Sequence, residues 1–187
     1  MIMLGMKVRD QVFLLALSLL VSLACKSAPK PLTASSAAEN YPNLAVRAKE
    51  LGDALGRKDY EKVVDLTYPK VIEIGGGREK LLAAMTSELK SMQAEGVEII
   101  SSNPSSPTQF LHDGTGIFAV VPMTSKFKAK DGTFQLEGSL IAISTDGGTN
   151  WTFVDATGKE QTELKKVLPN LDKLHLPPEK EPVKVTN

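Results

Sequence analysis

Between residues 43 and 96, apolar residues recur at intervals of three and four, the spacing of amphipathic helices. The apolar stripes consist of Leu44, Ala48, Leu51 and Leu55, then Tyr60, Val63 and Val64, then Leu81, Leu82, Met85, Leu89 and Met92. Asn43 and Asp59 are suitable N-caps for the first two helices, and a third covers 78–95. The stretch 71–74, after Pro69, is either a helical turn or an extended piece. This half of the chain therefore predicts three helices.

From residue 97 onward, short apolar or alternating runs are separated by turn residues, which is typical of antiparallel strands. The predicted strands are 97–101, 108–112, 117–121, a run through Phe127 to Lys130, 133–144 and 151–155. Pro122 lacks a backbone N–H and predicts a bulge or an edge position. A short helix over 161–168 and a tail follow, the tail being either extended along the domain or disordered. Helices followed by strands indicate an α+β fold, with N-terminal helices packed on a curved antiparallel sheet.

The clearest hairpin lies at 139–156, where Asp146, Gly147 and Gly148 provide the turn residues. Counting alternate residues assigns Ile141, Ile143, Trp151 and Phe153 to one face, and Leu140, Ala142 and Val154 to the other. Both faces are largely apolar, so we expect other parts of the chain to cover each of them.

The turn of this hairpin, STDGGTNW, resembles the Asp-box, S-x-D-x-G-x-T-W, which recurs once per blade in sialidases and other propellers. The motif occurs once here, without propeller periodicity, and Asn150 stands where threonine is usual. The resemblance implies a stabilised turn. We expect Asp146 to accept hydrogen bonds from backbone N–H groups of its own loop, and Trp151 to anchor the strand in apolar surroundings.

The composition is that of a globular protein: 187 residues, 42% hydrophobic and 24% charged, with 22 basic and 22 acidic side chains. This balance gives no electrostatic reason to expect nucleic acid as a partner. One cysteine and two histidines provide no zinc signature. The glycine run at 75–77 lacks the GK[ST] ending of a phosphate loop, and no HExxH or GxSxG motif is present. We therefore predict no cofactor and no metal.

Residues 1–24 have the layout of an export signal, because Lys7 and Arg9 precede an apolar run over 12–23 that is too short to span a membrane with its flanks. Cys25 follows directly. The segment resembles a bacterial lipoprotein signal, although Ser22 stands where leucine is preferred. The resemblance implies that Cys25 is acylated and joins membrane lipid, and that Lys26 after it directs the protein to the outer membrane, facing the periplasm. The alternative is a plain secretory signal followed by a chance cysteine.

The chain thus divides into a signal peptide (1–24), a flexible tether rich in Ala, Ser, Pro and Lys (25–43), an α+β domain (44–168) and a Pro-rich C-terminal tail (169–187). The domain resembles the nuclear-transport-factor-two-like superfamily, in which helices close one end of a bent sheet to form a cone around a pocket. The segments TYPKVIEIGGGREK and IAISTDGGTNWTFVDATG are similar to those of uncharacterised bacterial secreted proteins of this fold. The resemblance implies a pocket but no particular chemistry.

Candidate site residues are few. Tyr68, Trp151 and Phe153 are the candidates for ligand binding, and Met85 and Ile117 are expected to join the core or pocket. Asp155 is the one candidate general base, provided that its face looks into the cone and its carboxylate is buried.

Two polar features each allow a structural and a functional interpretation. Lys126, Lys128 and Lys130 share a strand face, either as a patch for an anionic ligand or as charges that protect an edge strand. His112 and Asp113 are neighbours on a strand and point to opposite faces, so we expect a hairpin end rather than a catalytic pair.

Two functional classes therefore remain open. The first is a lipid-anchored, extracytoplasmic binding domain for a small apolar ligand or a protein partner, with a homodimer through an exposed sheet face as a variant. The second is an isomerase, dehydratase or hydrolase that uses Asp155.

Overall fold

The computed structural model describes residues 41–178 and 180–185; the predicted signal peptide, Cys25 and nearly all of the tether lie outside the described residues. Four helices come first: α1 (Pro42–Arg57), α2 (Tyr60–Asp65), α3 (Pro69–Ile74) and α4 (Arg78–Ala94). Among the described helices, none combines the length and the hydropathy that are needed to span a bilayer. The strands follow the helices, so the predicted α+β class is confirmed.

Prolines set two of the helix starts. Pro42 opens α1, which makes Tyr41 the N-cap, so the predicted Asn43 cap is wrong. The Asn43 side chain instead donates a hydrogen bond to the Thr149 carbonyl oxygen (3.3 Å). Pro69 opens α3, so the stretch 71–74 is helical and there are four helices instead of three. Asp59 caps α2 as predicted, its Oδ1 accepting from the backbone N–H of Lys62 (3.2 Å).

Six strands form one strongly curled sheet, a half-barrel in which every strand pair is antiparallel. They are β1 (Glu98–Pro104), β2 (Gln109–His112), β3 (Ile117–Ala129), β4 (Gly132–Ser144), β5 (Thr152–Asp155) and β6 (Val183–Val185). β3 and β4 are a long central hairpin; β1 and β2 flank the two halves of β3, and β5 and β6 flank the two halves of β4.

Pro122 lies inside β3, paired with Ser139 of β4 without a bulge. β3 is a central strand, but beside Pro122 its other side is unpaired, so the predicted edge position holds locally. The Pro122 carbonyl oxygen accepts from the N–H of Ser105 (2.8 Å), so its ring nitrogen faces the same side of the strand. On that side, β2 pairs with β3 only as far as Val120, and the pairing with β1 starts only at Met123. The missing N–H falls in this gap, where no ladder bond is lost.

The sheet separates two hydrophobic cores, which confirms that both of its apolar faces are covered. We call the side under α1 and α2 the helix face, and its buried residues are Leu44, Ala48, Leu51, Ala54, Val63, Leu66, Phe110, Ile117, Ala119, Val121, Met123, Leu140, Ala142, Trp151 and Phe153. We call the opposite side the tail face, and its buried residues are Phe118, Val120, Ile141, Ile143, Val154, Ala156, Leu164, Leu168, Leu171 and Leu174.

The face assignment across the 139–156 hairpin needs correction. Phe153 pairs with Ala142, so it shares the helix face with Ala142 and Leu140 rather than with Ile141 and Ile143. Alternation holds along one strand, but the length of the turn decides which face the next strand resumes on.

The C-terminal segment supplies the second cover. A short helix, α5 (Gln161–Lys165), and a 3₁₀ turn (Leu171–Lys173) lie on the tail face. Leu171 and Leu174 are buried there, and β6 pairs with the far end of β4. Two hydrogen bonds from the Gln109 side chain hold the segment: its amide nitrogen donates to the Lys173 carbonyl (3.2 Å), and its oxygen accepts from the His175 N–H (2.8 Å). The described part of the tail thus lies extended along the domain.

Candidate functional site

The helix α4 borders an open cleft. None of its 17 residues is fully buried, and the space between α1, α2, α4, β5 and α5 has a volume of about 500 Å³. We call this space the α4 cleft. Its apolar lining comprises Leu51, Leu55, Val63, Val64, Val71, Leu81, Ala84, Met85, Met123, Leu140, Phe153, Val154, Leu164 and Val167. The walls are therefore mostly aliphatic, with one aromatic ring.

Local sequence explains how α4 reaches its position over the cleft. Gly76 and Gly77 have positive φ angles of 83° and 102°, a conformation that favours glycine, and they reverse the chain between α3 and α4. Arg78 then forms an ion pair with Asp65 of α2, its Nη2 lying 2.8 Å from the carboxylate Oδ1. This pair sets the start of α4 beside α2, while half-buried Met85 packs against the helix-face core.

The charged residues of the α4 cleft lie at its rim. Glu88 comes from α4, Asp155 from β5 and Glu163 from α5, with Lys159 nearby, and all four are exposed. The Asp155 Oδ1 accepts a hydrogen bond from the backbone N–H of Thr157 (3.0 Å). The general-base hypothesis required a buried carboxylate, and Asp155 is exposed. The lining therefore combines apolar walls with solvated charges at the mouth.

The three candidate ligand-binding residues are not brought together. Phe153 lines the α4 cleft. Trp151 is only 2% exposed and lies in the helix-face core, where its Nε1 donates to the Gly148 carbonyl (3.0 Å). Tyr68 donates a backbone hydrogen bond to the Phe153 carbonyl oxygen at the edge of β5 (2.9 Å). Its side chain nevertheless packs on the tail face, whereas the Phe153 side chain lies on the helix face. Of the two residues expected in core or pocket, Met85 lines the cleft and Ile117 is buried in the core.

The Asp-box turn has the architecture that the motif implies. Oδ1 of Asp146 accepts from the N–H groups of Thr149 (3.1 Å) and Asn150 (2.9 Å) and from the Ser144 hydroxyl (2.8 Å), while Oδ2 accepts from the Asn150 side chain (2.7 Å). These bonds, those from Asn150 first, lower the pKa of Asp146 to about 2. The turn is built to hold the hairpin, and Trp151 packs at its end.

His112 and Asp113 do not act as a pair. Asp113 accepts from the Thr115 N–H (2.9 Å) and hydroxyl (2.6 Å) and from the Asn170 side chain (2.6 Å). Burial raises the pKa of Asp113, but these hydrogen bonds outweigh it and the net shift is downward. The carboxylate therefore closes its own turn and joins it to the C-terminal segment, as expected of a hairpin end.

Lys126, Lys128 and Lys130 are exposed, but they do not lie on an edge strand. Lys126 and Lys128 lie in β3, opposite Gln135 and Thr133 of β4, and β1 pairs with the other side of β3. The interpretation that these charges protect an edge is therefore wrong, because β3 is central in the sheet. That these lysines form a patch for an anionic ligand stays a prediction.

Sequence reasoning missed two features that only the assembled fold creates. Leu81 and Ala84 line the α4 cleft but belong to no sequence motif, although the sequence does predict the amphipathic helix between the glycines that contains them. A second cleft lies on the tail face, where the C-terminal segment crosses the sheet. Among the described residues, no group of three or more His, Cys, Asp or Glu side chains is arranged to hold a metal ion.

The fold and this cleft define an α+β half-barrel domain with an open, apolar cavity beside its helices. Comparison with protein-family models, with curated proteins and with solved structures finds no match to this chain.

Proposed function

We propose that this protein is an exported, lipid-anchored binding protein with a cone domain of the nuclear-transport-factor-two-like kind, and that the domain takes up a small apolar molecule in the α4 cleft. The observation that carries the proposal is the cleft itself. Its volume of about 500 Å³ is within the range of small-molecule sites, and its walls are mostly aliphatic side chains.

Burial energetics favour an apolar ligand. Leu81 and Met85 are half-buried, so they present apolar surface to the cleft. Each Å² of such surface removed from water contributes roughly 25 cal/mol, which is the main free energy that a ligand without polar groups can gain. The carboxylates of Glu88 and Glu163 are exposed at the rim, so an apolar molecule fills the cleft without removing them from water.

The same geometry supports binding more than catalysis. A general base acts best in a closed, water-excluded site in which its proton affinity is tuned by burial. Asp155 is exposed, and the hydrogen bond it accepts comes from its own turn. An isomerase, dehydratase or hydrolase using Asp155 therefore remains the second class, without a feature that favours it.

The test compares two neighbouring alanines of α4, both exposed, of which only Ala84 lines the cleft. The probe is the neutral dye N-phenyl-1-naphthylamine, whose fluorescence rises in apolar surroundings, with the chain from residue 26 onward. We expect saturable binding that Ala84→Trp weakens about tenfold or more by filling the cleft, while Ala83→Trp leaves it unchanged. Absence of saturable binding, or equal loss in both variants, would contradict the proposal. A dimer that dissociates in Ala84→Trp would indicate a second copy as the occupant.

The proposed anchor rests on Cys25 and the apolar run before it. Metabolic labelling with a fatty-acid analogue in a bacterial host should mark the wild-type chain and not Cys25→Ser. The membrane fraction should lose the variant, because acyl chains provide the attachment. Label that persists in Cys25→Ser would refute the anchor and leave the binding domain as a separate question.

A further inference from the structure

A second cleft of about 600 Å³ lies on the tail face, on the opposite side of the central hairpin from α1. Its floor is the pair Pro122 and Ser139, where β3 and β4 face each other. The chain at 156–159, after β5, forms one side, and the C-terminal residues 175–178 cross over it. Because the two Gln109 hydrogen bonds hold the C-terminal segment, this tail-face cleft is already formed in the free protein.

The floor holds a buried polar atom without a partner. Ser139 is 5% exposed, and its Oγ is the one buried side-chain nitrogen or oxygen among the described residues that makes no hydrogen bond. Its backbone is satisfied, since its N–H donates to the Thr157 hydroxyl (3.3 Å) and its carbonyl accepts from the Ala156 N–H (2.9 Å). Less than 1 Å² of Oγ is accessible, so a ligand group in the cleft reaches it only when the Ser139 side chain turns toward the cleft. The hydrogen bond formed there would remove the cost of a buried, unpaired hydroxyl.

The remaining walls indicate the chemistry of that partner. Thr124 and Thr157 contribute further hydroxyl groups, and Pro122, Leu176 and Pro177 contribute apolar surface. Hydroxyl side chains both donate and accept hydrogen bonds, so together they match a ligand that carries several hydroxyl groups on an apolar frame.

The charges around the tail-face cleft favour a neutral ligand. Lys180 and Glu137 pair with each other at 2.5 Å, and Lys159 and His175 are exposed at the rim. An ion buried at the floor would meet a hydroxyl group and no opposite charge, which is unfavourable. A neutral ligand avoids that cost and still satisfies Ser139.

We propose that the tail-face cleft binds a neutral saccharide, one of whose hydroxyl groups forms a hydrogen bond with Ser139 Oγ. Ser139, Thr157 and residues 175–178 line this cleft and not the α4 cleft, whereas Met123 and Lys159 line both. The saccharide would therefore have a polar contact of its own, which the proposed apolar ligand does not share.

The test uses the full chain in phosphatidylcholine nanodiscs, which avoids sugar-bearing detergents. D-glucose and N-acetyl-D-glucosamine are titrated, and binding is followed by saturation-transfer NMR. We expect saturable binding of at least one of the two sugars, weakened about tenfold or more in Ser139→Ala, because the lost hydrogen bond is made at a buried group. Ser102→Ala is the matched control: Ser102 is also a buried serine of this sheet, but its hydroxyl pairs with Ser125 (3.0 Å) outside the cleft.

Thermal unfolding without sugar separates binding from folding. Because the Ser139 hydroxyl has no partner, Ser139→Ala should unfold at the same or a higher temperature than the wild type, whereas Ser102→Ala should unfold at a lower one. The proposal is overturned if neither sugar binds, if Ser139→Ala binds as well as the wild type, or if Ser139→Ala lowers the unfolding temperature. A variant with the rim blocked, Thr108→Trp, should also lose binding, since exposed Thr108 lines the cleft.

Discussion

The ring of Tyr41 meets the indole of Trp151 edge to face, with ring centroids 5.7 Å apart and an interplanar angle of 72°. Tyr41 is the N-cap of α1, and Trp151 closes the Asp-box turn, so this contact joins the first helix to the central hairpin. Phe110 of β2 lies on Tyr41 as well, at 5.5 Å. Gly148 completes the arrangement, because a Cβ atom there would overlap the Tyr41 ring. The start of α1 therefore packs on the turn through these aromatic contacts, and the lack of a side chain at Gly148 leaves room for the Tyr41 ring.

Gly148→Ala should destabilise the protein by about 3 kcal/mol, measured by urea unfolding. Gly148 has φ +92°, where an L-residue is strained, and the added methyl group would also push against Tyr41. Gly147→Ala is the control, because Gly147 has φ +76° but no atom within 4 Å of the added Cβ. It should cost only about 1 kcal/mol, the backbone strain alone. Equal losses in the two variants would contradict the seating of α1 on this turn.

Asp146→Ala should lower stability at neutral pH, and the loss should disappear in acid. The pKa of Asp146 is about 2 in the folded protein, below the ordinary value of 3.8, because its carboxylate accepts hydrogen bonds from Asn150, Ser144 and Thr149. The unfolded chain therefore binds more protons between these values. The contribution of Asp146 is fully present above about pH 4 and is lost as the pH falls through about 2.

Urea unfolding of wild type and Asp146→Ala at a series of pH values measures this. Asp131→Ala, which removes a carboxylate from the turn between β3 and β4, controls for the change in net charge at each pH value. A difference between wild type and Asp146→Ala that stays constant down to pH 2 would show that the carboxylate does not carry the turn.

Leu171→Ala should cost about 2–5 kcal/mol in the free energy of unfolding, the usual range for a buried leucine. Leu171 is 1% exposed on the tail face, although it belongs to the Pro-rich tail. Val183→Ala is the control, since Val183 is in the same tail but 65% exposed, and it should change stability by less than about 0.5 kcal/mol. Small effects at both positions would mean that the tail does not cover the sheet.

The features that sequence reasoning predicted correctly are set by neighbours in the chain. The Asp146 turn depends on atoms within four residues, and the Asp59 cap on an N–H three residues away. The two apolar faces of the 139–156 hairpin follow from alternation along one strand. In each case the physical cause lies within one short segment of the chain.

The features it missed depend on which strand lies next to which. Pro122 is tolerated because β1 and β2 leave a gap beside it. Trp151 lies on the face opposite to the predicted one, because the length of the turn, and not the count of alternate residues, sets the register of the second strand. Tyr68 and Phe153 are neighbours through their backbones at the edge of β5, which places their side chains on opposite faces and divides the candidate site. Neither cleft has a sequence signal, because each is the space left between elements distant in the chain.

Gly52→Ala should destabilise the protein by about 2–3 kcal/mol even though alanine is the better helix former. Gly52 is buried in α1, and its added Cβ would overlap the carbonyl oxygen of Ser102 in β1, a backbone atom that moves only if the helix moves away from the sheet. Gly56 provides the opposite case in the same helix, because the nearest atom to its added Cβ is 3.8 Å away. Gly56→Ala should therefore stabilise by about 0.5–1 kcal/mol through helix propensity alone. Urea unfolding of the two variants should give changes of opposite sign, and a gain at Gly52 would refute the close approach of α1 to β1.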